Sequence, residues 1–320
     1  MSPKRSEMKL TVSLWAARKR CDEGIELYRK QSETSLRKSK SPYLLITPKF
    51  CEKTHSAKGK AREEMKVVII PNKTREGTKE AQKRAEEVLK ETKTEYEELK
   101  LSEEGDYEKA EGKESELALY IGGDGTMLRA AKAALKMKAA LSGINTGNVG
   151  YLVGMEAEGF EEELRRLVEE GFETEECVVL EAEAEGEKKL CVNEAAIYSE
   201  ELKEYRVKKN GEVIFESRAS GIVITTAVGS TGLNRSAGGA VLEKELRAFE
   251  ITPLCAYSKE RGSLVVSSEW EYEVEFEGEA KLKCDGESSQ TVAERVKIRK
   301  NEELLRFARA KRQQERSGVE

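Results

Sequence analysis

A buried strand that leads through a glycine-rich turn into a helix is the feature that most constrains how this chain folds. The strand is Leu117 to Ile121, the turn is Gly122-Gly123-Asp124-Gly125-Thr126, and the helix runs from about Met127 to Lys138. An open α/β sheet builds its ligand crevice where a strand ends and a helix begins. The three glycines let backbone amides approach a phosphate closely, and the helix N-terminus favours its negative charge. The sequence therefore predicts a phosphate-binding turn.

Asp124 is unexpected in such a turn. A carboxylate beside a bound phosphate is repelled unless it binds a metal ion or accepts a proton, so its presence indicates a catalytic role. The alternative is an ordinary tight turn in which an Asp caps a helix. The five-residue string does not choose between these two interpretations.

The segments around this turn follow the order expected of a parallel sheet with helices on both faces. Lys66 to Pro71 is a buried strand, Thr78 to Thr92 has apolar residues at helical spacing, and Tyr96 to Leu101 contains another strand. After the glycine-rich turn and its helix, Ala139 to Ile144 is a further strand. This alternation predicts a Rossmann-like α/β domain.

Beyond a helix near Glu161 to Glu169, the pattern changes to short strands with alternating apolar residues. Turn sequences such as Asn210-Gly211 separate some of them, which predicts a mostly β, sandwich-like second domain. The last segment, Val292 to Phe307, is interpreted as a strand followed by a polar helix. The expected strands of the second domain are Val178 to Glu183, Lys189 to Tyr198, Tyr205 to Lys209, Val213 to Arg218, Gly221 to Thr226, Leu264 to Val266 and Tyr272 to Phe276.

We therefore expect an α/β domain at residues 65–155 and a β-rich domain at residues 156–290. Residues 291–320 form a C-terminal strand and helix that return to the first domain or stay with the second. Residues 1–64 are basic and lack core periodicity, apart from the apolar run Tyr43 to Ile46, which predicts a disordered extension or a true start at Met65.

Composition excludes several classes of function. Residues 1–64 carry 16 Lys and Arg against 8 Asp and Glu, whereas the remainder carries 40 against 53, and an acidic body argues against nucleic acid as a partner. No apolar run is long enough to span a membrane, and no secretory signal is present, so we expect a cytoplasmic protein.

The single histidine, His55, makes Ser-His-Asp hydrolysis and His-ligated zinc improbable. The six cysteines are scattered without a C-x-x-C pair, which indicates reduced thiols.

A second glycine-rich turn, Gly143-Ile144-Asn145-Thr146-Gly147-Asn148-Val149-Gly150-Tyr151-Leu152, follows the next strand. Together with Gly122 to Thr126 it resembles the NAD kinase family. The resemblance continues in order over roughly residues 65 to 300. Its further strings are Val192-Asn193-Glu194, Ser220 to Thr231, Ser236-Ala237-Gly238-Gly239 and Cys284-Asp285-Gly286.

The resemblance implies a kinase that transfers the γ-phosphate of ATP to the 2′-hydroxyl of the adenosine ribose of NAD or NADH. Asp124 would be catalytic, and Mg²⁺ would be held through the phosphates. An adjacent amide and carboxylate also suit paired ribose hydroxyls on physical grounds. The implied phosphate-binding residues are Gly122, Gly123, Gly125, Thr126, Asn145, Thr146 and Gly147. The implied dinucleotide-binding residues are Asn193, Glu194, Ser220, Gly229, Ser230, Thr231 and Ser236. The family also implies a homodimer or homotetramer.

Two departures from the family pattern bear on the substrate. Ser220 stands where most members have Asp, and Leu233 stands where most have an aromatic residue. The Ser-Gly variant resembles a branch that includes plant NADH kinases and mitochondrial NAD kinases, so NADH is a second possible acceptor. Two alternatives are a lipid kinase of the diacylglycerol or sphingosine type, which shares Gly-Gly-Asp-Gly-Thr, and a dinucleotide sensor without catalysis.

Overall fold

A computed structural model describes residues 65–72, 77–102, 104–146, 154–258 and 262–311. The extension at residues 1–64, including Tyr43 to Ile46 and His55, lies outside the described residues, as does Gly147. The described residues form one compact unit built on two sheets, and no helix in this part of the chain is long and apolar enough to cross a membrane.

The first sheet has seven strands and is parallel except at one edge. The strands are β1 (Lys66–Pro71), β2 (Glu95–Glu98), β3 (Leu117–Gly122), β4 (Ala140–Asn145), β5 (Met155–Glu156), β6 (Phe172–Cys177) and β15 (Leu305–Ala310). Their order is β2-β1-β3-β4-β15-β6, and β5 pairs with β4. Strand β6 is the antiparallel exception, paired with β15.

Helices cover both faces of this sheet, as the sequence predicted. Helices α1 (Thr78–Glu91) and α3 (Phe160–Glu170) pack on one face around Val67, Ile69 and Leu119. Helix α2 (Asp124–Met137) packs on the other face, where Ala130, Ala131 and Ala134 are fully buried. The central strands are buried on both faces of the sheet, which explains their continuous apolar sequences.

The second sheet has eight antiparallel strands. They are β7 (Leu180–Ala184), β8 (Glu187–Cys191), β9 (Glu194–Lys209), β10 (Glu212–Thr226), β11 (Ala248–Leu254), β12 (Leu264–Ser267), β13 (Tyr272–Cys284) and β14 (Gln290–Lys300). Their order is β12-β11-β10-β9-β13-β14-β7-β8. Alternate residues of these strands share one hydrophobic core that includes Tyr205, Phe249 and Tyr272. A short helix, α4 (Leu233–Ser236), lies between β10 and β11.

Strands β9 and β10 are each longer than the sequence predicted. On each side of Asn210-Gly211, two short predicted strands belong to one continuous strand. The alternation of apolar residues breaks where the register shifts, for example between Ala219 and Gly221. Asn210 and Gly211 both have positive φ and connect the two strands, as the sequence predicted for a tight hairpin turn.

The prediction of a polar helix near the C-terminus is wrong, because that segment forms strand β15. Its buried Leu305 and Phe307 alternate with Arg306, which is the period of a strand rather than of a helix. Arg309 pairs with Glu175 of β6, at 3.2 Å. Because β6 and β15 lie in the first sheet, the α/β layer includes residues beyond 155 and a strand from the C-terminal segment.

Candidate functional site

The Gly122 to Thr126 turn connects β3 to α2 at the carboxyl edge of the parallel sheet. A Cβ on Gly122 would lie 2.5 Å from Thr126 Oγ1, so this position admits only glycine. Thr126 is buried, and its hydroxyl accepts a hydrogen bond from Asn72 Nδ2 at 3.0 Å. The turn is therefore fixed to the end of β1 as well as to β3.

Asp124 is the first residue of α2 and is exposed at this edge. The residue that caps the helix is Gly123, and no side-chain capping bond is formed. Burial, and then the charge of Asp124, raise the pKa of the Tyr120 hydroxyl on β3. The structure thus does not give the carboxylate the helix-capping role that was the alternative to catalysis.

The second glycine-rich turn begins beside the first. Asn145 pairs with Gly122 in the sheet, and the Thr146 N–H donates to the Gly122 carbonyl at 3.1 Å. Thr146 Oγ1 lies 3.3 Å from Thr78 Oγ1 at the start of α1. The structure therefore brings together the first residues of both predicted phosphate-binding turns.

Asn193 lies between β8 and β9, Glu194 is the first residue of β9, and both are held by contacts from β10 and from the turn after β13. The Asp285 carboxylate accepts hydrogen bonds from the N–H groups of Val192 at 2.9 Å, Asn193 at 2.7 Å and Glu194 at 3.2 Å. The Asn193 carbonyl accepts bonds from Thr225 Oγ1 and from the Thr226 N–H. These bonds fix the turn in one conformation.

Two oxygen atoms in this turn have no partner although they are buried. They are Asn193 Oδ1 and Glu194 Oε2. Burial, and then the charge of Asp285, raise the pKa of Glu194 to about 7. A buried polar atom without a hydrogen bond is costly, so an adjacent pair of such acceptors is suited to receive hydroxyl groups from a ligand.

The Gly229-Ser230-Thr231-Gly232 loop packs directly on this turn. A Cβ on Gly229 would lie 2.2 Å from the Asn193 carbonyl oxygen, and one on Gly232 would lie 3.7 Å from Glu194 Oε2. Ser230 is fully buried, and its hydroxyl donates to the Ala227 carbonyl at 2.7 Å. Ser230 was predicted to contact the ligand, but its hydroxyl is hydrogen-bonded within the protein.

The remaining predicted residues are spread along one strand and helix. Ser236 and Leu233 are exposed on α4, and Thr231 is half-buried. Ser220 is half-buried at the β10 register shift. It lies five residues before Thr225, which pairs with Glu194, so about 17 Å of strand separates the two positions.

Sequence reasoning missed a buried polar network that supports this loop. Asn234 Nδ2 donates to Glu250 Oε2 at 2.8 Å, and Asn234 Oδ1 accepts a bond from Thr252 Oγ1 at 2.6 Å. Glu250 Oε1 also accepts a bond from the Ala240 N–H at 2.7 Å. Asn234 stands one residue after Leu233, but its role depends on β11, which no motif predicted.

The two halves of the site share one hydrophobic core. Val192 and Val228, which flank the Asn193-Glu194 turn and the Gly229 loop, pack in the same cluster as Tyr120 and Met127. The glycine-rich turn of the first sheet and the unpartnered acceptors of the second are thus attached to one hydrophobic core.

Within the described residues, no group of three Asp, Glu, His or Cys side chains is arranged to hold a metal ion. Four cysteines, Cys177, Cys191, Cys255 and Cys284, are free thiols in the described part of the chain, and the other two lie outside it.

Comparison with known proteins gives a consistent result over most of the chain. The model of the ATP-NAD kinase N-terminal domain matches residues 50–172, and that of the ATP-NAD kinase C-terminal domain matches residues 193–310. An NAD kinase of Shewanella halifaxensis is 31% identical over 214 residues, which are 62% of this chain and 69% of that protein. The N-terminal match begins at residue 50, before residue 65, where the motif resemblance begins.

Two solved structures share the fold. The crystal structure of an NAD kinase from Archaeoglobus fulgidus in complex with ATP is 29% identical and has a TM-score of 0.65, over 77% of this chain and 94% of that one. Yeast NADH kinase complexed with NADH has a TM-score of 0.66 at 17% identity, over 77% of this chain and 84% of that one.

Proposed function

This chain belongs to the NAD kinase family, and we propose from that premise which of its residues carry out the reaction. The activity is ATP-dependent phosphorylation of NAD. The comparisons do not favour the lipid kinase or the non-catalytic sensor. The proposal assigns the acceptor hydroxyl, the catalytic residue and the dinucleotide site.

The single observation that carries the assignment of the dinucleotide site is the pair of buried, unpartnered oxygens on Asn193 and Glu194. The two acceptors lie on a turn that Asp285 and Thr226 hold rigid. The 3′-hydroxyl of the ribose is a donor that suits this pair of acceptors, and the 2′-hydroxyl keeps its proton for Asp124. We assign the adenosine ribose to this turn. We also propose that the loop from Gly229 to Thr231 contacts the same dinucleotide through its backbone.

In the proposed reaction the 2′-oxygen attacks the γ-phosphorus of ATP in line. The new bond joins the 2′-oxygen to phosphorus, the bond from phosphorus to the β-γ bridging oxygen breaks, and ADP leaves. Asp124 accepts the proton of the attacking hydroxyl. Its exposure at the strand edge and its lack of a capping bond leave the carboxylate accessible for this step.

The glycine-rich turns are the proposed phosphate site. Gly122, Gly123, Gly125 and Thr126 precede or begin α2, whose N-terminus favours anions, and Asn145 and Thr146 begin the adjacent turn. Gly147 belongs to the same proposal by sequence. Mg²⁺ would enter with ATP and offset the charge of the phosphates, which supply most of its ligands in this proposal.

The finer properties are also proposals. NADH is a second acceptor, since Ser220 lacks the carboxylate that most of the family places there. A cytoplasmic homodimer or homotetramer is proposed on the family resemblance alone. Ser220 is assigned to a part of the dinucleotide away from the adenosine ribose, because about 17 Å of strand separates it from the Glu194 register position. Ser236 is assigned to the dinucleotide by the family resemblance.

A substrate panel tests this assignment. The intact chain is incubated with Mg²⁺, ATP labelled at the γ-phosphate and one acceptor at a time: NAD, NADH or diacylglycerol in micelles. We expect labelled NADP or NADPH with the phosphate on the 2′-position of the adenosine ribose. Label on the lipid, or on another hydroxyl of the dinucleotide, would contradict the assignment.

A further inference from the structure

Lys132 is the most deeply buried cation among the described ion pairs. It lies on α2, eight residues after Asp124 and thus about 12 Å along the helix axis. Its side chain is 1% exposed, and its ammonium lies 3.2 Å from Asp285 Oδ2 and 2.7 Å from Glu287 Oε1. Because an unpaired buried charge is strongly disfavoured, this ammonium requires a carboxylate partner, and the buried one is Asp285.

Asp285 has a second task in addition to this ion pair. It is 1% exposed, and its two oxygens accept the three N–H groups of the turn that contains Asn193 and Glu194. A continuous series of polar contacts therefore runs from α2 through Lys132 and Asp285 to the Asn193-Glu194 backbone. Although burial opposes it, the Asp285 charge raises the pKa of the Lys132 ammonium, so Lys132 stays charged.

The turn between β13 and β14 also contacts the segment between β2 and β3. The Ser288 N–H and hydroxyl both donate to the Glu104 carboxylate, each at 2.8 Å. These bonds are exposed, whereas the Lys132 to Asp285 pair is buried. The Asp285 N–H also donates to the Glu194 carbonyl at 3.0 Å, so Asp285 and the Asn193-Glu194 turn form one unit, and the buried ion pair joins that unit to α2.

We propose that Lys132 is a positioning residue for the acceptor dinucleotide: through Asp285 it sets the place of the Asn193-Glu194 turn relative to the helix that begins at Asp124. This inference rests on the proposed function, in which that turn binds the adenosine ribose. It assigns to α2 two tasks, one at its first residue and one at its buried middle. A displacement of the turn weakens dinucleotide binding and leaves the ATP site in place.

The test compares Lys132→Met with Glu287→Gln in the intact chain. Methionine keeps most of the length of the lysine side chain without its charge, so Asp285 loses its cation. Glu287→Gln changes the other carboxylate bonded to Lys132, which is 19% exposed, and leaves the bonds of Asp285 to the turn in place, so it serves as the matched control. The measured quantities are KM for NAD, KM for ATP, kcat, and Kd for NADH from its fluorescence.

For Lys132→Met we expect KM for NAD and Kd for NADH to rise about tenfold or more, with KM for ATP changed less than twofold. Glu287→Gln should change all of these less than threefold. An unchanged KM for NAD in folded Lys132→Met overturns the proposal, as does an equal rise in both KM values. If the wild type phosphorylates no dinucleotide, the proposed function fails instead, which the same series shows.

Lys132→Arg provides the second variant if Lys132→Met does not fold. Arginine keeps the charge and changes the position of its donors, so partial rescue is expected: KM for NAD rises two- to fivefold and KM for ATP stays constant. Equal changes in the two KM values, or none in either, would show that Lys132 supports the fold without positioning the dinucleotide.

Discussion

Glu194 is held in an environment that disfavours its own charge. The residue is 8% exposed, its Oε2 has no partner, and the Asp285 carboxylate accepts bonds from the N–H groups of the same turn. The carboxyl of a free glutamate ionises well below neutral pH, whereas here the pKa is about 7. A ligand hydroxyl that donates to this group favours the ionised form, so binding and proton release are linked.

The first prediction concerns the pH dependence of dinucleotide binding. Glu194 carries a proton below about pH 7 and a charge above it, so affinity should rise as pH increases through this value. If only the ionised form of Glu194 binds the dinucleotide, Kd for NAD should be about tenfold higher at pH 6 than at pH 8. Glu194→Gln should remove the dependence, and calorimetry at both pH values measures it.

A pH dependence that persists in Glu194→Gln would assign the titration to another group. Asp285→Asn is no substitute as a control, because it also changes the backbone contacts of the turn.

The Asn193-Glu194 motif could be recognised from sequence, but the raised pKa of Glu194 could not. It depends on burial and on Asp285, some 90 residues further along the chain.

At the scale of elements, the strand and helix that flank the glycine-rich turn were predicted nearly to their ends. Their buried runs are long and unmistakable, and the residue types in the turn allow few conformations. Strands β6 and β11 were not predicted, because glutamates interrupt the apolar pattern of each. β6 has three glutamates and is stabilised by its partner β15, whereas β11 contains buried Glu250, whose charge obscures the strand pattern.

The second prediction concerns the contact between β3 and β4. Tyr120 pairs with Gly143, and a Cβ on Gly143 would lie 2.1 Å from the Tyr120 ring. Gly143→Ala should therefore displace the ring and destabilise the fold by about 1 to 3 kcal/mol, which lowers Tm by roughly 2 to 12 °C in a chain of this size. Calorimetric melting measures the change.

Gly125→Ala is the matched control for stability, because a Cβ there meets no atom within 4 Å. Its Tm should stay within about 2 °C of the wild type, since alanine favours a helical position. The double variant Tyr120→Ala with Gly143→Ala should lose less stability than the sum of the single variants, since space is made for the methyl group. Strict additivity would show that Tyr120 does not constrain Gly143.

At the scale of the whole molecule, the two sheets behave as parts of one body. The chain leaves the first sheet after β6, forms the second sheet, and returns through β15. The Lys132 to Asp285 ion pair and the shared core around Val192 and Val228 connect the layers. Motif order predicted that both layers contribute to the site, but long-range pairing, which no local pattern encodes, determines how they join.

The third prediction concerns the first 64 residues. A chain that begins at Met65 keeps all of β1, so we expect it to fold with a Tm within about 4 °C of the intact chain, which corresponds to roughly 1 kcal/mol or less. The family match begins at residue 50, so a chain that begins at Phe50 is the control. Full activity from Phe50 and none from Met65 would show that residues 50–64 are part of the functional unit.

The most direct test of the central claim is kcat as a function of Mg²⁺ concentration for the wild type and for Asp124→Asn. Asparagine keeps the shape and cannot accept the proton, so kcat should fall by roughly 10²- to 10⁴-fold at every Mg²⁺ concentration, with Tm unchanged. Recovery of kcat at saturating Mg²⁺ would instead assign Asp124 to the metal. Activity close to that of the wild type at ordinary Mg²⁺ would remove Asp124 from the mechanism.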